Sequence, residues 1–280
     1  MEIDIRRRLA TIARSAVLAF VAMAAIGLSS GVRAGVPVTA EEVIVPTADG
    51  KAEATLLYPA AKGKYPAVIL WPDFVGTRPA FRDLARRLAA EGFVVLVPNT
   101  FYRSMRPNDA ELDPRAPDIR PTLMQYRAEA TPEGIARDAE AYVAFLDRQK
   151  RANRGKIGAV GYDLGGAYAF RSAAALPGRI AAVASIYGAG VATANPDSPH
   201  LRVAESAAAY YIAIAADDDQ REPGDKDDYR KVFGDAGIEG IVEIYEANHG
   251  WANPAAKAYD AGAADRSFGA LVKLLKTKLG

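Results

Sequence analysis

The segment 161–166, Gly-Tyr-Asp-Leu-Gly-Gly, constrains the fold of this chain more than any other stretch. It follows the short apolar run 156–160 and precedes an alanine-rich segment of helical character, 167–176. A strand, a Gly-x-nucleophile-x-Gly turn and a helix in this order are typical of a nucleophile elbow, a strained turn that holds its third residue at the top of a sheet. That residue is Asp163 here, where such a turn usually presents serine or cysteine. The chemistry open to Asp163 therefore largely decides what the chain can do.

Apolar runs alternate with helical segments along the rest of the chain. Runs 66–71 and 93–97 are nearly continuous, as expected for strands buried on both faces of a parallel sheet. Further strands are predicted at 42–46, 52–58, 180–187, 210–215 and 241–245, and helices at 79–91, 132–149, 225–236 and 260–278. This order predicts an α/β fold, with a mostly parallel, doubly wound sheet and helices on both faces.

Two connections stand out from this pattern. Asp49 and Gly50 separate the first two strands and favour a tight hairpin turn. The connection 98–131 is long, rich in Pro, Arg and Asp, and weakly patterned. Because a connection of that length in a compact domain is usually functional, we interpret it as a partial lid or pocket wall.

The first 34 residues have the composition of an export signal. Three arginines at 6–8 precede the apolar segment 16–28, which is too short to span a bilayer comfortably, and small residues at 32 and 34 suit a signal peptidase. We interpret 1–34 as a signal peptide, with a retained membrane anchor as the alternative, and 35–280 as a single domain. The predicted location is periplasmic or secreted, without stable membrane insertion after cleavage.

Composition excludes several classes of partner and site. With 35 Lys and Arg against 34 Asp and Glu, the net charge of +1 gives no reason to expect a nucleic acid or an anionic membrane as partner. The absence of cysteine excludes disulfides, thiolate metal sites and a cysteine nucleophile. A small-molecule substrate is expected, with no cofactor.

Loops at the carboxyl ends of the predicted strands carry the candidates for catalysis, because ligands of parallel α/β sheets collect there. They are Asp73, Asp163, the acids at 217–219 and His249. A hydrolytic triad needs an imidazole that accepts and returns a proton near neutral pH. Of the two histidines in the chain, His249 directly follows a strand and is the expected base, whereas His200 has no context beyond a loop.

The chain from residue 35 onward resembles the dienelactone hydrolase family of α/β-hydrolases over nearly all its length. The resemblance is carried by segments 161–166, 98–103, 219–223 and 248–250, in the family's order. It implies a triad of Asp163 in the nucleophile position, Asp219 as acid and His249 as base. Asp219 is preferred for its offset to Pro223, with Asp218 as the fallback. An oxyanion hole formed by the backbone N–H groups of Leu164 and Phe74 is also implied.

Three residues depart from the family pattern. The family's nucleophile is cysteine or serine rather than Asp163, and Asp73 stands where the family has a glutamate that interacts with the nucleophile. Of two family arginines that grip a substrate carboxylate, Arg103 matches one, but the other falls near Asn253. Arg103 and its neighbour Tyr102 are therefore the expected substrate contacts, although dienelactone itself is not the expected substrate.

An aspartate at the elbow favours particular substrates. Attack by a carboxylate on an ester gives a reactive anhydride, whereas attack on an sp³ carbon bearing halide or an epoxide oxygen gives an alkyl ester that His249 and water can hydrolyse. Haloalkane dehalogenases, fluoroacetate dehalogenase and epoxide hydrolases use this arrangement on the same fold. The predicted function is hydrolysis of a small ester, lactone, haloacid or epoxide. Trp71 or Trp251 could donate an indole N–H to a leaving halide, or both could simply pack.

Other interpretations stay open from the sequence. If Asp73 and Asp163 face each other, one of them should hold a proton, and Asp73 could then serve as a general acid. The same pair with His249 could bind a divalent metal, although no ligand spacing supports it. The alternative to an enzyme is a catalytically silent relative that binds a ligand without turnover.

Overall fold

The computed structural model describes residues 36–104 and 119–280, and eight strands of this part of the chain form one sheet. The strands are β1 (Val38–Thr47), β2 (Gly50–Pro59), β3 (Tyr65–Trp71), β4 (Val94–Pro98), β5 (Ala152–Tyr162), β6 (Ile180–Ile186), β7 (Ala209–Ala215) and β8 (Gly240–Tyr245). Their order across the sheet is β1-β2-β4-β3-β5-β6-β7-β8. The proposed signal peptide 1–34 and the central part of the connection 98–131 lie outside the described residues.

The sheet is mostly parallel, as predicted. Strands from β3 and β4 through β8 pair in parallel, whereas β2 pairs antiparallel with both β1 and β4. The β1–β2 hairpin closes where Thr47 pairs with Gly50, at the predicted turn. Because all the parallel strands end at one edge of the sheet, the loops after β3, β5, β6, β7 and β8 meet there.

Helices cover both faces of the sheet. They are α1 (Pro79–Ala90), α2 (Ile119–Glu129), α3 (Pro132–Leu146), α4 (Gly165–Ala175), α5 (Ala216–Arg221), α6 (Asp225–Ala236) and α7 (Ala261–Leu279), with a 3₁₀ helix at Pro199–Glu205. Apolar residues of α3, α4 and α6 pack in one buried cluster, and those of α1 and α7 pack in the other. This two-layered cover confirms the predicted α/β-hydrolase architecture.

Two segments that the sequence indicated as loops are helical. The connection after β4 contains α2, in which only Leu123 is buried, so it lacks the apolar stripe that would have revealed it. The acids after β7 form the first turn of α5, where negative side chains interact favourably with a helix N-terminus. Within 36–104 and 119–280, no helix has the length and apolarity needed to cross a membrane.

Candidate active site

The turn after β5 holds Asp163 in a strained conformation. Its φ of +48° is left-handed, which is uncommon for a residue with a side chain. The turn packs so closely against neighbouring backbone that two of its positions have no room for a side chain. A Cβ at Gly161 would lie 1.9 Å from the carbonyl oxygen of Gly165, and a Cβ at Gly165 would lie 2.3 Å from the carbonyl oxygen of Trp71. The elbow therefore requires glycine at both positions.

The carboxylate of Asp163 lies between a ring nitrogen and a backbone N–H. Oδ1 is 3.2 Å from Nε2 of His249, and Oδ2 accepts a hydrogen bond of 2.9 Å from the backbone N–H of Phe74. Phe74 is one of the two predicted oxyanion-hole donors; the N–H of the other, Leu164, donates no hydrogen bond to this carboxylate among the described residues. The side chain of Asp163 is 15% exposed, so it is accessible to a small molecule.

His249 bridges two carboxylates. Its Nδ1 is 2.7 Å from Oδ2 of Asp218, and its backbone N–H donates to Oδ1 of Asp217 at 2.8 Å. Burial lowers the pKa of His249, but the hydrogen bonds to Asp163 and Asp218 outweigh burial and raise the pKa to about 10. The ring is therefore an imidazolium near neutral pH, and both of its nitrogens donate.

Asp218, and not the predicted Asp219, contacts the imidazole. Both carboxylate oxygens of Asp219 accept hydrogen bonds from Lys226, at 2.8 and 3.0 Å. The reason is the helical conformation of α5, because successive side chains on a helix point about 100° apart. When Asp218 faces His249, its neighbour must therefore point elsewhere. Asp218 also pairs with Arg221, one turn later.

Asp73 forms an ion pair with Arg78. Its two carboxylate oxygens accept hydrogen bonds from the guanidinium of Arg78, at 2.5 and 2.6 Å. The N–H of Val75 also donates to it, at 3.0 Å. This ion pair fixes the loop after β3 and thereby positions the Phe74 N–H against Asp163. The sequence left open whether Asp73 faces Asp163, and the partner that the structure gives the Asp73 carboxylate is an arginine.

The two tryptophans lie in the core. Trp251 is fully buried, stacks on Tyr245 with ring centroids 4.9 Å apart, and donates its indole N–H to Ser267 at 3.2 Å. Trp71 is also fully buried, packed between Tyr142 and Tyr168, and its indole N–H has no partner among the described residues. Packing is therefore the observed role of Trp251. Of the two tryptophans, Trp71 is the one whose indole N–H has no acceptor among the described residues.

Arg103 and Tyr102 belong to an ion-pair network that ties the β1–β2 hairpin to α3. Arg103 donates to Asp138 at 2.8 and 2.9 Å and to Asp49 at 2.7 Å. The hydroxyl of Tyr102 donates to Asp138 at 2.7 Å and accepts from Thr47 at 2.9 Å. In the structure both side chains therefore act as ion-pair and hydrogen-bond partners within the fold, and their contact with a substrate stays a prediction.

Two cavities flank the loop that follows β6. The larger, about 730 Å³, adjoins Asp218 and has an apolar floor that includes Ile212, Ile214 and Tyr229. The smaller, about 280 Å³, adjoins Leu164 at the elbow. Within the described part of the chain, no group of three or more His, Asp or Glu side chains is arranged to hold a metal ion.

Sequence reasoning missed two residues that shape the site and did not assign the role of a third. Arg78 neutralises Asp73, Asp217 anchors the backbone of His249, and the ring of Tyr187 lies 5.0 Å from the imidazole. Tyr187 has a φ of +40° and directly follows β6, so it is strained like Asp163. Of these three, only Asp217 belongs to a sequence signal, the acidic run at 217–219 that follows a strand. The sequence did not show the conformation of that run, so the contact made by Asp217 was not predicted.

Comparison with known proteins agrees with this architecture. A model of the dienelactone hydrolase family matches residues 52–279. A protein described as a dienelactone hydrolase from Klebsiella pneumoniae superposes with a TM-score of 0.74 at 21% identity, covering 86% of this chain and 99% of its own. A dienelactone hydrolase-like promiscuous phosphotriesterase from metagenomic libraries superposes with a TM-score of 0.70 at 22% identity, covering 87% and 99%.

A dienelactone hydrolase from Anabaena variabilis is more distant, with a TM-score of 0.52 at 17% identity, covering 87% of this chain and 99% of its own. Likeness at such identities shows the fold alone. No curated protein matches the chain significantly. The family model, however, spans most of the chain, including the elbow and the segment around His249. The chain therefore belongs to the dienelactone hydrolase family, with the α/β-hydrolase fold and a hydrolase architecture of that type.

Proposed function

We propose that this protein hydrolyses a bond at an sp³ carbon of a small molecule by covalent catalysis, with Asp163 as nucleophile and His249 as base. The observation that carries the proposal is the position of the His249 ring, 3.2 Å from Asp163 on one side and 2.7 Å from Asp218 on the other. Asp218 takes the role of the acid that orients the imidazole and stabilises its charge. This is the geometry that a nucleophile, a base and an orienting acid require.

In the first step, Oδ1 of Asp163 attacks the sp³ carbon of the substrate, while Oδ2 stays hydrogen-bonded to the Phe74 N–H. A C–O bond forms, and the bond to the leaving group breaks with its electron pair. A halide leaves as an anion and needs no proton. The oxygen of an opened epoxide remains attached as an alkoxide and needs one, which the imidazolium of His249 can supply. The product of this step is an alkyl ester of Asp163.

In the second step, a water molecule attacks the carboxyl carbon of that ester while His249 accepts its proton. The resulting oxyanion forms at the oxygen that the Phe74 N–H already contacts at 2.9 Å. Collapse of this intermediate expels the alkoxide, which takes the proton from His249 and leaves as the alcohol. Asp163 is regenerated with one oxygen taken from water, and its remaining proton passes to His249, which restores the carboxylate and the imidazolium.

The charge on Asp163 lets one imidazole serve both steps. The hydrogen bond from His249 to Asp163 is among the interactions that raise the pKa of the ring to about 10. Esterification removes the negative charge from Asp163, so the pKa of the ring falls. After epoxide opening the ring has already given its proton to the alkoxide, and after halide displacement it releases its proton to solvent, so the neutral imidazole is a base when water must be activated. Small haloacids and epoxides are the preferred substrates, because attack by Asp163 on an ester or lactone would give a reactive anhydride.

Single turnover in ¹⁸O-labelled water tests this proposal. Because the attacking water contributes one oxygen to the regenerated carboxylate, mass spectrometry of the peptide that contains Asp163 should find the label there. The Asp163→Asn variant should show no turnover. Turnover by the wild type with label only in the product, or turnover that persists in Asp163→Asn, would mean that another group attacks.

A second candidate function is ligand binding without turnover. One observation favours it: the resting imidazolium has both nitrogens engaged by carboxylates, so it has no lone pair with which to activate water. Panels of haloacids, epoxides and esters separate the two functions, because only the enzyme releases product.

We also propose that the protein acts outside the cytoplasm, which rests on the composition of residues 1–34. Amino-terminal sequencing of the protein recovered from the periplasm should begin near residue 35.

A further inference from the structure

The residue that follows β6, Tyr187, shares the strained backbone of the elbow. Its φ is +40°, and within residues 36–104 and 119–280 only Asp163 and Tyr187 combine a positive φ with a side chain. Tyrosine has no conformational preference for this region, unlike glycine or asparagine. Strain of this kind persists only where the surrounding structure imposes it, and it clusters at functional sites. The observation therefore calls for a role of the Tyr187 ring.

Two backbone hydrogen bonds join the turn of Tyr187 to the elbow. The N–H of Asp163 donates to the carbonyl oxygen of Ile186 at 3.1 Å, and the N–H of Ala189 donates to the carbonyl oxygen of Asp163 at 3.0 Å. These two partners flank Tyr187 in the chain. Tyr187 itself donates its N–H to the carbonyl oxygen of Ala213 at the end of β7, at 2.7 Å. The backbone thus fixes the position of Tyr187 relative to Asp163.

The side chain of Tyr187 lies between the imidazole of His249 and the core. Its ring centroid is 5.0 Å from that of His249 and 4.8 Å from that of Trp251. The ring also contacts Tyr162, the residue before Asp163, at 5.8 Å. Tyr187 is 2% exposed and Trp251 is fully buried. Because such a core is close-packed, the Tyr187 ring cannot move away from His249 without displacing the tryptophan.

The positive charge on His249 gives this aromatic contact an electrostatic part. Asp163 on the elbow and Asp218 on α5 contact the two ring nitrogens and keep the ring protonated. An aromatic ring within about 6 Å of a cation attracts it through the negative potential of its π-face. Tyr187 itself is uncharged, because burial raises its pKa well above the ordinary value of 10. Since both nitrogens are engaged by carboxylates, the contact with Tyr187 is an additional interaction of the imidazolium.

We propose that Tyr187 is a positioning residue that holds the imidazole ring of His249 against Asp163 and Asp218. Its backbone is tied to the elbow, and its ring limits the imidazole to the orientation in which Nε2 reaches Asp163 and Nδ1 reaches Asp218. The strain at Tyr187 is the local cost of that placement. The inference concerns the same imidazole as the proposed function, but it does not depend on turnover.

NMR titration of the ¹⁵N-labelled ring of His249 tests this role. Tyr187→Leu keeps an apolar side chain but removes the aromatic ring, so the proton affinity of His249 should fall about threefold to tenfold. The low-field signals of its two ring N–H protons should also weaken, because the ring is no longer held against both carboxylates. Tyr187→Phe retains the aromatic ring and should restore both properties to those of the wild type.

Tyr210→Leu is the matched control. Tyr210 is a buried tyrosine of β7 whose ring packs on Phe170 and Phe233 in the other apolar cluster. The same substitution there should destabilise the fold comparably and leave the proton affinity of His249 unchanged. Circular dichroism shows whether each variant is folded. If Tyr187→Leu is not folded, Tyr187→Gly serves instead, because glycine adopts a positive φ without steric cost.

An unchanged proton affinity of His249 in Tyr187→Leu, or an equal loss in Tyr210→Leu, would overturn the positioning role. A loss in Tyr187→Phe as large as in Tyr187→Leu would assign the effect to the hydroxyl group and overturn it as well. The ¹⁸O experiment is independent of these results. If label fails to reach Asp163 while the dependence on Tyr187 is found, the covalent mechanism falls and the positioning role stands; if the label arrives without that dependence, the reverse holds.

Discussion

An aspartate at position 163 changes the electrostatics of its neighbour as well as the side chain that the elbow presents. A serine or cysteine at this position would present a neutral hydrogen-bond donor to Nε2 of His249. The carboxylate instead places a second negative charge against a ring that already contacts Asp218. Because two carboxylates favour the protonated ring, the resting state of this site is an ion cluster, whereas the resting triad of a serine hydrolase has a neutral imidazole beside one carboxylate.

The first prediction concerns the protonation of His249. Its pKa in the wild type is expected at about 10. Asp163→Asn should lower it, because the amide carries no charge and removes one of the two interactions that favour the imidazolium. Nitrogen-detected NMR titration measures this directly, since the chain contains only two histidines.

His200 is the internal control for that titration. Burial lowers the pKa of His200 below its ordinary value of 6.5, so its resonances titrate well away from those of His249. A pKa of His249 that is near 6.5 in the wild type, or that is unchanged in Asp163→Asn, would contradict the ion cluster.

The choice between Asp218 and Asp219 shows where sequence reasoning stops. The pattern identified the strand, the acidic run after it and the histidine that this run serves. It did not identify which carboxylate reaches the ring, because that depends on whether residues 216–221 continue as a loop or turn into a helix. On a helix, a rotation by one residue would turn Asp219 instead of Asp218 toward His249. Three consecutive aspartates carry no local feature that indicates which of them faces the ring.

The second prediction separates these two acids by activity. Asp218→Asn should lower kcat roughly 10²–10⁴-fold, because the imidazole loses the group that fixes its orientation and stabilises its charge. Asp219→Asn should change kcat by less than about threefold, since it removes only a partly exposed pair with Lys226. Kinetics on whichever haloacid or epoxide the wild type turns over make the comparison, and the opposite ranking would restore Asp219 as the acid.

At the scale of elements, the elbow depends on backbone contact between β5 and the start of α4. The Gly161 Cα faces the peptide of Gly165 so closely that a methyl group would lie 1.9 Å from one backbone oxygen and 2.4 Å from the nitrogen of Gly166. Neither atom can move without unwinding the first turn of α4. The glycines of the motif are thus required by packing, whatever chemistry the third residue performs.

The third prediction follows from that contact. Gly161→Ala should destabilise the protein by about 3 kcal/mol or more, since the clash is with backbone and not with a flexible side chain. Gly234→Ala is the matched control, because Gly234 lies in α6 with open space around it and should gain roughly 0.5–1 kcal/mol from its better helix propensity. Urea unfolding measures both, and equal effects would mean that the elbow tolerates a side chain.

The elements were predictable to different degrees for physical reasons. Strands β3, β4 and β7 are almost entirely buried, so their continuous apolar runs revealed them. The helix α2 buries only Leu123 and therefore has no apolar periodicity to read. The engagement of Arg103 by Asp138 and Asp49 depends on contacts between segments 35 and 54 residues apart, which a local pattern does not contain.

At the scale of the whole molecule, the ion cluster links the stability of the fold to pH. In the unfolded chain His249 has a pKa near 6.5, whereas in the folded protein the pKa is about 10. Folding therefore favours the protonated ring. The stability that results is fully present below about pH 6.5 and is lost as pH rises through about 10.

The last prediction is the pH dependence of unfolding between about pH 7.5 and pH 9.5, where the unfolded chain has released this proton and the native state retains it. The free energy of unfolding of the wild type should fall with rising pH, by at most about 1.4 kcal/mol per pH unit for one proton. The slope should be smaller than this limit, because the His249 side chain is 31% exposed and solvent screens its ion pairs. In Asp163→Asn the native pKa is lower, so its curve should flatten over the same range. The difference between the two urea-derived slopes isolates His249 from groups that both proteins share, and parallel curves would show that no coupling joins the elbow carboxylate to the imidazole.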